Sequence, residues 1–132
     1  MKTEFTYPVL VVVDVHDGDT CTLLIDMGFY LRRLIAVRVA GIDTPELKGA
    51  SLAAGKLARD LAKAWLVAAV RPVLISRELD KYGRVLGDVL DLDTNDTLSD
   101  YLLAAGVAHA YDGGTKTAWT DAECQRLVET IR

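Results

Sequence analysis

Three short segments, far apart in the chain, hold charged side chains that phosphate chemistry demands. They are Asp17-Gly18-Asp19-Thr20, then Arg38 with Asp43-Thr44-Pro45-Glu46, then Asp80-Lys81-Tyr82-Gly83-Arg84. Carboxylates are hard oxygen ligands that suit a cation such as Ca²⁺, and guanidiniums match phosphate oxygens two at a time. A phosphodiester resists attack because its anionic oxygens repel a nucleophile while the transition state gathers more negative charge. A cation and positioned guanidiniums together lower that barrier. Jointly, the segments outline metal-assisted cleavage of a phosphate ester; singly, none justifies that reading.

Each residue also has a plainer role. Asp-Gly is an ordinary turn pair, so Asp17 reads as structural and Asp19 as the better ligand. Asp43-Thr44-Pro45-Glu46 alone reads as the opening of a helix, with Thr44 as cap and Pro45 at the first position. Arg38 lies in an apolar strand, where an unpaired charge is costly, so it meets either solvent or an anion. Arg84 follows a tight turn and is exposed by default. Tyr111, before Asp112-Gly113-Gly114, is either a base-stacking residue or a core tyrosine. His16 and His109 are too few and too far apart for a zinc site. Lys48 is nearest the candidate site, whereas Lys56, Arg59 and Lys63 belong to a helix's outer face.

The elements that must position these residues follow from periodicity. The β-branched run Val9 to Val15, the Asp17-Gly18 turn and Thr20 to Met27 predict a hairpin. A third strand is predicted from Tyr30 to Ile42, with Leu34, Ala36 and Arg38 on one face. Ala50 to Val70 predicts an amphipathic helix that buries Leu57, Leu61, Trp65 and Ala68. Two more strands, Val73 to Arg77 and Arg84 to Leu92, flank the Asp80 to Gly83 turn. Capping boxes at Thr97/Asp100 and Thr120/Glu123 open two further helices, with Val107 to Tyr111 extended between them. Five strands, a helix after the third and helices at the end suit an α+β fold, an OB-type five-stranded barrel with about three helices.

The chain has 132 residues, the length of one domain, taken here as 1–132. Its net charge of −4 and pI near 5.1 argue against coating nucleic acid by bulk electrostatics. That objection weakens if acids gather at a metal and basic residues line the substrate face. Cys21 and Cys124 lack metal or redox spacing and are expected to be two unpaired thiols. No signal-peptide stretch or uninterrupted apolar run of about eighteen residues is present, so no membrane partner is expected and the default location is cytoplasmic, with export open if a leader was removed; a monomer is expected.

The same segments, together with Val37-Arg38-Val39 and Gly41-Ile42, resemble in order and spacing the signature of the staphylococcal nuclease-like (thermonuclease) family, from about Val9 to about Tyr111. The resemblance implies a Ca²⁺-dependent nuclease that hydrolyses DNA and/or RNA with little sequence preference and leaves 3′-phosphates. By position it implies that Asp19 and Asp43 hold the metal, with the Thr44 carbonyl. Arg38 and Arg84 would neutralise phosphate, Arg84 would assist the departing 5′ oxygen, and Lys81, Tyr82 and Tyr111 would line the nucleotide pocket. Glu46 would align or deprotonate the attacking water. As a carboxylate near its reference pKa is a feeble base at neutral pH, both roles stay open. The chain departs from better-known members in its acidity, a last helix expected to be short and a glycine-rich loop after Tyr111. Weaker binding with a steep salt dependence is the consequence. A noncatalytic nucleic-acid-binding or protein-interaction module on the same fold is the alternative, and a structural Ca²⁺-binding domain a third.

Overall fold

The computed structural model describes residues 4–131. Five strands close a barrel in the order β1-β2-β3-β6-β5: β1 is Phe5–Asp17, β2 Thr20–Gly28, β3 Leu31–Val39, β5 Pro72–Leu79 and β6 Val85–Asp91. A separate two-stranded ribbon joins β4, Ile42–Asp43, to β7, His109–Ala110. The helices are α1, Leu52–Ala68, α2, Leu98–Ala104, and α3, Asp121–Ile131, with a short 3₁₀ turn at Gly49–Ser51 before α1. The fold is thus the α+β, OB-type barrel expected from the pattern of elements.

β1 is long enough to serve two partners. Phe5 to Pro8 pair with β5, and Val9 to Asp17 pair with β2 through three register shifts. Such bulges bend and twist a strand, which is how a small barrel turns its corners. β2 and β3 run antiparallel from the Asp26–Arg32 pair to the Thr20–Arg38 pair. β3 meets β6 in parallel only over Val37 to Val39. Alternation sends Leu23, Ile25, Val37, Val39, Leu74 and Val89 into the core, which α1, α2 and Val107 cover.

Three expectations need correction. The face of α1 turned to the core is Ala54, Gly55, Ala58, Ala62 and Leu66. Leu57, Leu61 and Trp65 are only partly buried beside it, and Ala68 is exposed. Small side chains let the helix axis approach the barrel, and the larger residues fill the flanks; Trp65 stacks on Tyr101 at 6.4 Å. Second, the helix opening that Asp43-Thr44-Pro45-Glu46 suggests when read alone does not form: residues 44–48 are irregular, which leaves Asp43 at the end of β4 and puts Thr44 and Glu46 on a loop against the barrel. Third, the strand expected from Tyr30 to Ile42 breaks at Ala40 and Gly41, and Ile42–Asp43 leaves to pair with β7.

Both caps form, but only the second closes as a reciprocal box. The Thr97 hydroxyl accepts the Asp100 N–H at 3.2 Å. Thr120 and Glu123 exchange bonds, Oγ1 accepting the Glu123 N–H at 3.1 Å and Oε1 the Thr120 N–H at 3.2 Å. α3 has 11 residues, a full three turns despite its expected shortness. Cys21 and Cys124 are free and buried, and burial pushes the Cys21 thiol up to about 12. Among the described residues no helix is long and apolar enough to cross a membrane.

Two glycines hold the 44–46 loop in place. A Cβ on Gly18 would lie 2.8 Å from Thr44 Cγ2, and one on Gly55 would lie 2.6 Å from the Glu46 carbonyl oxygen. Both approaches are closer than a side chain tolerates. The β1–β2 turn and the first turn of α1 therefore grip the loop from either side.

Candidate active site

Arg38 alternates with the core residues Val37 and Val39 and so faces away from the barrel interior. It is nonetheless buried, because β4 and the following loop fold over it. Its Nη1 donates to the Val39 carbonyl at 2.8 Å and its Nη2 to the Ile42 carbonyl at 3.0 Å. The same Nη2 lies 3.5 Å from Asp19 Oδ2 and 3.9 Å from Asp43 Oδ1. Two acids from distant segments thus converge on one guanidinium, and all three side chains are withdrawn from water.

Asp19 is fixed by its neighbours. Its Oδ2 accepts the Thr44 N–H at 3.1 Å, its Oδ1 accepts the Thr20 hydroxyl at 3.1 Å, and its own N–H donates to Asp17 Oδ1 at 3.2 Å. Burial pushes the Asp17 carboxyl up to about 6, helped by its hydrogen bond to Asp19 and by repulsion between the two acids. Burial pulls Asp19 the same way, but the bond from Asp17, the Arg38 charge and the Thr44 N–H outweigh it and hold Asp19 below the usual range. Of the two, Asp19 therefore ionises first, and Asp17 takes up the proton first as pH falls. Asp43 is set by the β4–β7 ribbon, where it faces His109, and the Tyr111 N–H donates to the Gly41 carbonyl at 2.9 Å.

In front of this cluster lies a cleft of about 580 Å³, whose walls include Arg38, Lys81, Tyr82, Arg84, Tyr111 and Lys116. Asp80 shapes one wall by accepting the N–H groups of Tyr82 and Arg84, both at 2.9 Å, and Arg84 Nε at 2.7 Å. Although desolvation opposes it, these donors hold the Asp80 carboxyl below its ordinary value. The Tyr82 ring lies 5.2 Å from Lys81 Nζ and 5.4 Å from Arg84 Cζ. Basic side chains do gather here, Arg77 included, but Glu4, Glu78, Asp80 and Asp112 accompany them. The walls are mixed in sign rather than strongly basic.

The structure brings Asp19, Arg38, Asp43 and Thr44 together and sets Lys81, Tyr82, Arg84 and Tyr111 around the adjoining cleft. Glu46 stands apart: its carboxylate is 65 % exposed and 3.2 Å from Lys48 Nζ. The sequence reading missed Lys116, whose Nζ lies 3.2 Å from Asp43 Oδ1. Its only signal is its position just past the Gly113-Gly114 pair.

Among the described residues no group of three or more His, Cys, Asp or Glu side chains gathers to hold a metal ion. The donors at hand are two carboxylates, with Thr44 beside them. Its hydroxyl is buried without a hydrogen-bond partner. All are oxygen donors, which suit Ca²⁺ or Mg²⁺ rather than a soft metal. Because Ca²⁺ takes about 6–8 oxygen ligands, so small a set fits an open site completed by water and substrate oxygens, and does not fit a closed cage.

An OB-type barrel with acids and guanidiniums at one end of its β2–β3 ladder has a nuclease-type fold. Residues 36–130 match the family model described as staphylococcal nuclease homologue, and the chain belongs to that family. The match includes every candidate residue except Asp19, which lies before it. Comparison with curated proteins gave no match.

Proposed function

We propose that the protein is a Ca²⁺-dependent phosphodiesterase that cleaves DNA and/or RNA with little sequence preference and leaves 3′-phosphate products. The observation that carries this reading is the convergence of Asp19 and Asp43 on Arg38, which itself lines the cleft shared with Arg84.

Asp19, Asp43 and Thr44 would hold the ion. When bound, Ca²⁺ supplies charge neutralisation at the phosphate and makes a coordinated water more acidic. Arg38, anchored by two carbonyls, presents its remaining N–H groups to a phosphate oxygen. Arg84, steadied by Asp80, meets the charge that develops on the departing 5′ oxygen. Glu46 orients or deprotonates the attacking water after leaving Lys48. Tyr82 and Tyr111 offer π faces that accept any base, which accounts for weak sequence preference.

Cleavage of single-stranded DNA with Ca²⁺ and with chelator tests the reading, with end-group analysis of the products. Turnover with Ca²⁺ alone is expected, and its absence under both conditions from folded protein defeats the proposal. Arg84→Ala is expected to lower turnover on the order of a hundredfold or more. One observation favours the noncatalytic alternative: Glu46 pairs with Lys48 outside the cleft. In that case Glu46→Gln would leave nucleic-acid binding unchanged in a protein that shows no turnover at all.

A further inference from the structure

Lys116 belongs to the segment between β7 and α3, and that segment is pinned at both ends. At its start, His109 stacks on Trp119 with ring centroids 3.7 Å apart and planes within 3°. The His109 Nε2 lies 2.8 Å from Glu123 Oε2, and its Nδ1 lies 3.3 Å from the Thr117 carbonyl. At its far end Glu123 closes the cap with Thr120. Between these anchors the segment carries the Lys116 ammonium to Asp43 Oδ1, 5.5 Å from the Tyr111 ring centroid.

The two cations at Asp43 differ in how firmly they are held. Arg38 is buried and bonded to two carbonyls, so it cannot withdraw without leaving those carbonyls and giving up its place between two acids. Lys116 has a side chain 53 % exposed, Asp43 is its ion-pair partner, and it lines the open cleft rather than the buried network. With the Arg38 guanidinium already beside Asp43 Oδ1, an ammonium and a divalent ion on that same carboxylate repel each other strongly at such short range. Each therefore weakens the hold of the other on Asp43.

We propose that Lys116 is a tethered competitor for the metal: its ammonium neutralises Asp43 while no divalent ion is bound, and an ion gains Asp43 as Lys116 departs. This rests on the reading of Asp19 and Asp43 as metal ligands. Because the competitor is part of the chain, its effective concentration is high and independent of protein concentration. The apparent metal affinity is reduced by the fraction of molecules in which Asp43 is free. Once displaced, the ammonium remains in the cleft, where it adds a positive charge facing the substrate phosphate.

Equilibrium dialysis of Ca²⁺ against the full chain, without nucleic acid, tests this by binding rather than turnover. Lys116→Met is expected to bind Ca²⁺ about threefold to fivefold more tightly than wild type, within what a partly exposed ion pair supports. Lys116→Arg keeps the charge and is expected to stay near wild type. Lys56→Met, which removes an equal charge from the outer face of α1, serves as control and is expected to change affinity less than about twofold. Structural damage would weaken binding, so the direction of the change separates competition from misfolding. Equal affinity in the Lys116→Met and Lys56→Met proteins, or weaker binding in the former, overturns the inference while leaving the metal reading intact. No Ca²⁺ binding by any form overturns both.

Discussion

The two ends of the β2–β3 ladder treat charge and apolar surface in opposite ways. Where Thr20 faces Arg38, the chain buries Asp19, Arg38 and Asp43. Beyond the Asp26–Arg32 pair, it exposes Phe29 at 94 % and Tyr30 at 103 %, both in the left-handed region with φ of 53° and 64°. The buried end is tolerable because its charges are paired and hydrogen-bonded, and without those partners each would carry a heavy desolvation cost. The exposed end loses nothing to desolvation, but left-handed backbone costs about 1–2 kcal/mol per residue outside glycine. One end stakes stability on a network and the other on local backbone alone, so substitutions there should differ in size and in sign.

The largest effect is expected at the buried end. Arg38→Ala removes the one guanidinium shared by two buried acids and the donor to two carbonyls, and denaturant unfolding in chelator should show a loss of about 3–5 kcal/mol. A loss below about 1 kcal/mol would mean that Arg38 does not hold this end together. Next is Gly55→Ala, in which helix propensity favours alanine by about 1 kcal/mol. The added Cβ meets the Glu46 carbonyl oxygen at 2.6 Å, an overpacking cost of about 1–3 kcal/mol. Net destabilisation with slower turnover is expected, and a more stable protein would show that the loop yields freely.

Asp17→Asn separates charge from geometry, because an amide oxygen still accepts the Asp19 N–H. In the wild type, burial pushes the folded carboxyl up from its ordinary value of 3.8 to about 6. Its stabilising contribution is therefore complete below about pH 4 and is lost as pH rises through 6. The variant should gain on wild type across that window and stay ahead above it. Discounted for partial exposure, the gain is about 1–2 kcal/mol, read from unfolding at several pH values in chelator. The smallest effect belongs to the exposed end. Tyr30→Gly relieves about 1–2 kcal/mol of backbone strain against about 0.5–1 kcal/mol of glycine entropy, a net gain of about 0.5–1 kcal/mol by the same measurement.

Local signals carried most of the architecture. β-branched runs, the Asp17-Gly18 turn and both capping boxes located strands and helices because each depends on residues a few positions apart. The candidate residues were legible through their order along the chain, which matches a known signature. What could not be read depends on contacts across the molecule. The β4–β7 ribbon joins Asp43 to His109, a pairing with no local signature. The alanine face of α1 was overlooked because size, rather than hydrophobicity, decides which face comes closest to the barrel. Lys116 and the His109–Trp119 stack were invisible for the same reason, as a loop's destination is set by what it docks on.

The brevity of the β3–β6 pairing has a further consequence. Only Val37 to Val39 meet β6, so the backbone of residues 31–36 keeps one unpaired side, next to the exposed Leu31 and Leu34. An open strand margin with apolar neighbours invites another copy to extend the sheet. Arg32 and Arg33 stand on that stretch, exposed and without an ion pair among the described residues. Like charges approaching along such a margin repel, so this arginine doublet acts as a guard against aggregation where the barrel wall is left unsealed.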